Sequence, residues 1–279
     1  MKKAVYPCLF ALVLLSLAST CFAGAWTLEQ GKAYNRFAVN YYFADEEFDA
    51  DGEDKALDFE GDFTEVNVNY YVEYGVTDRL TAIASIYYKD IEQEDALIVK
   101  ESNGIGDIDL GLKYRLLGWS GGAVAAQGLV KVPEAYDEAP EGGRGVPLGN
   151  GQYDAEFRLL YGQSLWTLFP GYCGFELGYR WRDEAPADEL RYLVEVGGDF
   201  TKSLYGRAKL DGIKGMDNGE GGASINRSNP NQFDLIKLDL ALGYKMTPRW
   251  GVEAVYAPAI SGETTLDGTT YSLALTYQP

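Results

Sequence analysis

Between Lys32 and Tyr277 the chain places an apolar or aromatic residue at every second position of many short stretches, with polar, charged or glycine residues between. Val66, Val68, Tyr70, Val72 and Tyr74 share one face, and Glu65, Asn67, Asn69, Tyr71 and Glu73 share the other. Ile108, Leu110, Leu112, Tyr114 and Leu116 oppose Asp107, Asp109, Gly111, Lys113 and Arg115 in the same way. A period of two is that of a β-strand. The pattern predicts about twelve strands, over residues 32–43, 63–74, 79–89, 105–117, 122–132, 152–163, 172–182, 189–199, 203–213, 233–245, 249–257 and 268–277.

The connections alternate in length. Short turns are expected at 75–78, 118–121, 166–171, 200–202 and 246–248, and longer polar loops at 44–62, 90–104, 133–151, 183–188, 214–232 and 258–267. A soluble sandwich has no reason to sort its loops by parity. A transmembrane antiparallel up-and-down β-barrel does, with short periplasmic turns, long external loops, an apolar face to lipid and a polar face to the lumen. Most of the segments reach the ~9–11 residues that cross a bilayer at a tilt.

The N-terminus supports the same compartment. Lys2 and Lys3 precede an apolar run from Leu9 to Leu17, and Cys21-Phe22-Ala23 follows, so residues 1–23 read as a cleaved secretory signal. A lipid anchor on Cys21 is the lesser alternative, because Thr20 fits poorly before such a cysteine. The rest, from residue 24 to 279, reads as one barrel domain in the outer membrane, inserted by the outer-membrane assembly machinery among lipid and lipopolysaccharide. Trp119, Trp166, Phe169 and Trp250 fall beside the short turns, and Tyr88, Tyr136, Trp181 and Tyr256 near the long loops, as two interfacial belts would. The last strand, with Tyr271, Leu273, Leu275 and Tyr277 on one face, is similar to a C-terminal assembly signal but runs on through Gln278 and Pro279.

Composition narrows the function. The formal charge is −18, and losing Lys2 and Lys3 makes it −20, which argues against a nucleic-acid partner. Histidine is absent, which removes the usual base of Ser-His and Cys-His hydrolases and the commonest metal ligand. Cys173 is the one cysteine beyond the signal and reads as a small apolar residue. No cofactor is implied. Carboxylates two apart, Asp107/Asp109 and Asp154/Glu156, have the chemistry for acid–base work, but nothing aligns a substrate, and the chain does not read as an enzyme.

Alternation assigns the lumen-lining candidates. They are Glu65, Asn67, Asn69, Glu73, Asp107, Asp109, Lys113, Arg115, Gln127 and Lys131, then Asp154, Glu156, Arg158, Glu176, Arg180, Arg182, Arg191, Glu195 and Asp199. Arg207, Lys209, Asp211, Lys237, Asp239, Lys245 and Glu253 follow. Interleaved charges of both signs either pair and hold a narrow barrel together or line a water-filled path that selects solutes. Asp45, Glu46, Glu47, Asp49, Asp51, Glu53, Asp54 and Asp58 make the first loop acidic. It reads as solvated, with divalent-cation capture the alternative.

Three segments carry a family resemblance: Glu73 to Leu80, Gly104 to Leu116, and Gly149 to Asp154 ahead of a strand. With these the chain resembles the outer-membrane family known as "MetA-pathway of phenol degradation". That resemblance implies a channel for small organic compounds. A looser likeness is to the long-chain fatty acid transporters, which carry an N-terminal plug. Here only Gly24 to Gly31 precedes the first strand, too little for such a plug. The expectation is passive transport of small hydrophobic or neutral molecules, with Arg115, Arg158, Arg180 and Asp107 setting selectivity. The alternative is a structural or surface-interaction barrel with a closed lumen and cation-binding loops.

Overall fold

Thirteen strands form one sheet in a computed structural model that describes residues 24–133, 135–136, 145–219 and 230–279. The signal at 1–23 and parts of the connections at 133–151 and 214–232 lie outside the described residues. The strands are β1 (Ala33–Phe48), β2 (Asp54–Ala56), β3 (Asp62–Thr77), β4 (Leu80–Glu94), β5 (Val99–Trp119), β6 (Gly122–Val132) and β7 (Asp154–Ser164). They continue with β8 (Gly171–Arg182), β9 (Glu189–Asp199), β10 (Leu204–Gly215), β11 (Asp234–Lys245), β12 (Trp250–Glu263) and β13 (Thr265–Tyr277). Apart from β2, which pairs with the outer end of β1, neighbours in sequence are neighbours in space and antiparallel. β13 pairs with β1 and closes the ring. Setting aside β2 leaves a twelve-strand barrel. Closure leaves no unpaired edge, so every strand can satisfy its backbone within hydrocarbon.

Polarity is inverted relative to a soluble protein. On the outside, Val66, Tyr70, Tyr74, Leu110, Leu112, Tyr114, Leu240, Leu242, Leu273 and Leu275 are exposed. On the inside, Glu65, Glu73, Lys113, Lys131, Asp154, Glu156, Glu195 and Glu253 are buried. An apolar outer belt around a polar core is stable only where the solvent is lipid.

Three expectations are corrected. The connection expected at 258–267 is strand on both sides: β12 runs to Glu263, and only Thr264, at φ 54°, separates it from β13. Pro258, which reads as a strand end, is accommodated by a bulge in which Ile236 pairs with Ser261 and Lys237 with Ala259. The connections at 44–62 and 90–104 shrink for a related reason. Beyond the lipid both faces of a strand are polar, so pairs such as Glu92–Glu101 and Gln93–Lys100 continue the ladder without an alternating signal. Tyr136 is not in an interfacial belt. It packs into the outer lumen and donates to Asp107 Oδ1 at 2.6 Å. It lies past the end of β6, where alternation no longer fixes a side chain's face.

The segment before β1 also behaves differently from its length. Ala25, Thr27 and Leu28 are buried in the inner mouth. Thr27 Oγ1 donates to the Asp78 carbonyl at 2.8 Å, and the Leu28 N–H donates to Thr81 Oγ1 at 2.9 Å. Trp26 packs edge-on against Tyr172, with centroids 6.2 Å apart. A Cβ at Gly75 would lie 2.1 Å from the Glu29 carbonyl oxygen, so glycine is what lets the segment lie against β3.

Candidate functional site

The barrel interior is the candidate site. Alternation points one face of each strand inward, and closure brings those faces together. Glu156 on β7 is a hub: it lies 2.5 Å from Arg158 Nη2, 2.9 Å from Arg180 Nε and 3.6 Å from Arg191 Nη1. Arg158 also reaches Glu176 at 2.6 Å. Arg180 approaches Asp154 at 3.7 Å, and Lys131 bridges Asp154 at 3.3 Å and Asp107 at 3.6 Å. Arg182 and Arg191 hold Glu189 at 3.0 and 3.4 Å. Arg191 on β9 reaches across β8 to do this with Glu156 on β7, so the mesh extends off the wall into the lumen.

Further groups complete the ladder. Arg207 reaches Glu253 at 3.0 Å and Glu195 at 3.6 Å, and Arg36 approaches Glu253 at 3.8 Å. The Tyr172 hydroxyl donates to Glu195 at 2.6 Å. Lys113 pairs with Glu73 at 3.2 Å, Lys89 with Glu65 at 3.8 Å, and Lys209 with Asp239 at 2.6 Å. Asn67 donates to Glu65 at 2.7 Å, and Asn69 to Ser85 at 2.9 Å. Lys237 stands opposite Asp211, Asp109 opposite Lys131, and Gln127 opposite Arg158. Lys245 pairs with Asp199 at the periplasmic end. Ion pairs of this kind are compensated by geometry, and losing one partner strands the other.

The wall is asymmetric. The large cations cluster on β7 to β10. Facing inward from β11, β12, β13 and β1 are the small residues Ala241, Val255, Ala257, Thr270, Ser272, Ala274 and Ala38, with Lys237, Asp239, Glu253 and Arg36 among them. At the outer end an apolar cluster joins Ala44, Leu57, Phe63, Ile91, Val146, Leu148 and Leu266, with Tyr42 and Tyr136 against it. At the inner mouth a cavity of about 600 Å³ is lined by residues including Trp26, Leu28, Trp166, Pro170, Tyr172 and Pro248. Arg115 lines this cavity, apart from the ladder.

Outside the membrane two carboxylates organise the external turns. Asp49 accepts the N–H groups of Asp51 and Glu53 at 2.8 and 3.0 Å, and these bonds hold its pKa below the ordinary range. Burial pushes the Asp188 carboxyl up, but the N–H of Arg182, the Asn218 amide, the Tyr179 hydroxyl and the Arg182 charge outweigh it and hold it low. Those three bonds are each 2.8 Å. Among the described residues no three acidic side chains converge to hold a metal ion.

No family model and no curated protein matches the sequence. Solved structures do match the fold. The COG4313 outer membrane channel from Pseudomonas putida F1 superimposes with a TM-score of 0.73 at 11% identity, over 94% of this chain and 100% of that one. The NanC porin gives 0.51 at 9% identity, and the KdgM porin 0.50 at 8%, each over 86% of this chain and 98% of theirs. The fold is thus that of outer-membrane channels and porins, and it supports placement in that membrane.

Sequence reasoning left out Arg36 and Lys89, although each falls on the inward face by simple alternation from Ala38 and Ile91. It placed Tyr71 on the polar face but left out the inward tyrosines Tyr34, Tyr172 and Tyr205. A tyrosine suits either face, so its residue type alone carries no direction.

Proposed function

We propose that the protein is a passive outer-membrane channel for small hydrophobic or neutral organic molecules, exported by the signal at residues 1–23. The asymmetric lumen carries this reading. Apolar groups occupy the outer and inner ends, small residues of β12, β13 and β1 line the stretch between them except where Arg36 meets Glu253, and the denser part of the ion-paired ladder fills the other side. A hydrated ion meets paired charges and must displace their partners. A compact neutral solute meets alanines. Arg158, Arg180 and Asp107 would act by holding the ladder shut against ions, and Arg115 by contacting solute at the inner mouth. The acidic external loops would face lipopolysaccharide.

A second reading has its own observation. The same ladder braces the barrel from within, as a structural protein with a sealed lumen would require. Planar-bilayer recording of the refolded protein, paired with uptake of an apolar tracer by cells expressing it, separates the two. Little ion conductance with tracer uptake that falls in Ala257→Trp and Ala274→Leu variants is the expected result. Large stable conductance steps with no tracer effect would mean a hydrophilic pore, and neither signal would mean a structural barrel.

A further inference from the structure

The segment Val146–Gln152 enters the outer mouth, where Ser102, Tyr136 and residues of the two glycine-bearing motifs of the sequence hold it. The Val146 N–H donates to Ser102 Oγ at 2.9 Å. Leu148 lies over Gly104, where a Cβ would meet Leu148 Cδ1 at 2.9 Å. The Gly151 N–H donates to the Tyr136 hydroxyl at 2.9 Å, and that hydroxyl donates to Asp107. A Cβ at Gly149 would fall 2.2 Å from the Tyr136 oxygen and 2.7 Å from Asp107 Oδ1. Gly104-Ile105-Gly106-Asp107 and Gly149-Asn150-Gly151-Gln152 therefore meet in one clasp, which Ser102 and Tyr136 complete.

The clasp places apolar groups where an apolar receptor already exists. Val146 and Leu148 are buried against Phe63, Ile91, Leu57, Ala44 and Leu266, which project from the barrel wall or the turn after β2. The same segment buries an unmatched acceptor. Gln152 is 2% exposed; its Nε2 donates to Asp154 Oδ1 at 3.0 Å, which fixes the amide's orientation, and among the described residues its Oε1 has no hydrogen-bond partner. A buried carbonyl oxygen without a donor is destabilising, and a ligand that brings a donor would relieve it.

We propose that Val146 and Leu148 act as a stand-in ligand over the channel's outer subsite. That subsite takes a small apolar molecule bearing one hydrogen-bond donor, which displaces the two side chains and donates to Gln152 Oε1. This rests on the transport reading and deepens it. The clasp bonds are few and lie at the rim, so the segment can lift while the ladder below stays intact. Solute gains the apolar contacts that Val146 and Leu148 give up, so displacement costs little net burial.

A tether tests this. In a Cys173→Ala background, Ser102→Cys with Val146→Cys allows the clasp to be locked by oxidation or a short bismaleimide, and the link is confirmed by mass. N-phenyl-1-naphthylamine, apolar with a single N–H, is the probe, and its fluorescence rise in intact expressing cells gives the uptake rate. The Cys173→Ala barrel is expected to raise that rate above barrel-free cells. The locked form should fall to the barrel-free rate, Leu148→Ala should exceed the parent, and Gln152→Leu should slow this probe several-fold but not its N-methyl analogue. A parent that carries the probe while the locked form carries it equally well overturns the lid and leaves the transport reading standing. Equal effects of Gln152→Leu on both probes overturn the donor assignment. A parent with no uptake overturns the transport reading and this one with it.

Discussion

Glu156 has a side chain only 1% exposed, and three guanidinium groups converge on it. Its worth lies in what removal would leave behind. Glu156→Ala should destabilise the barrel by about 3–5 kcal/mol, since Arg158, Arg180 and Arg191 stay buried and lose a partner; urea unfolding in lipid vesicles measures it. Replacing Arg158 and Glu156 together by similar-sized apolar residues should not recover that loss, because Arg180 and Arg191 still lack Glu156 and Glu176 then lacks Arg158. Asp188 allows a pH test outside the membrane. Its folded pKa is depressed, so its contribution is full above the unfolded carboxyl value of about 4 and is lost as pH falls through the folded value. Protection of residues 183–188 and 215–219 from limited proteolysis or hydrogen exchange should weaken as pH drops below about 4, and Asp188→Asn should flatten that dependence.

At the scale of elements, the strands outrun their hydrophobic signal. β5 covers 21 residues, where about 9–11 cross a bilayer. The surplus forms a polar rim on which the segment Val146–Gln152 is clasped. The segment before β1 makes the opposite point, since a stretch too short for a plug still covers the inner mouth through Ala25 and Leu28. A refolded barrel lacking Ala25–Glu29 should keep its strand content by circular dichroism and, with the ladder shutting the lumen to ions, its low conductance; a rise would place the narrowest point at the inner mouth.

Over the whole molecule, charge is sorted by depth. The lumen's acids are largely matched by its arginines and lysines, while the excess behind the formal charge of −18 sits in external carboxylates such as Glu46, Asp51 and Glu53. The molecule therefore meets its surroundings as an acidic surface over a nearly neutral interior. The sequence determined the barrel and its up-and-down order through alternating loop lengths beside an export signal, and the inward identity of residues such as Glu65, Lys113 and Arg158 through alternation, because a period of two sorts faces without knowledge of neighbours. It could not mark strand ends such as Glu94 and Glu263, where both faces are polar. It also could not show which charges meet: Arg191 finds Glu156 two strands away, and Tyr136 finds Asp107 and Gly151 across a loop. Those contacts depend on ring closure and on where chain leaving the wall turns back into the lumen, and only the tertiary structure decides them.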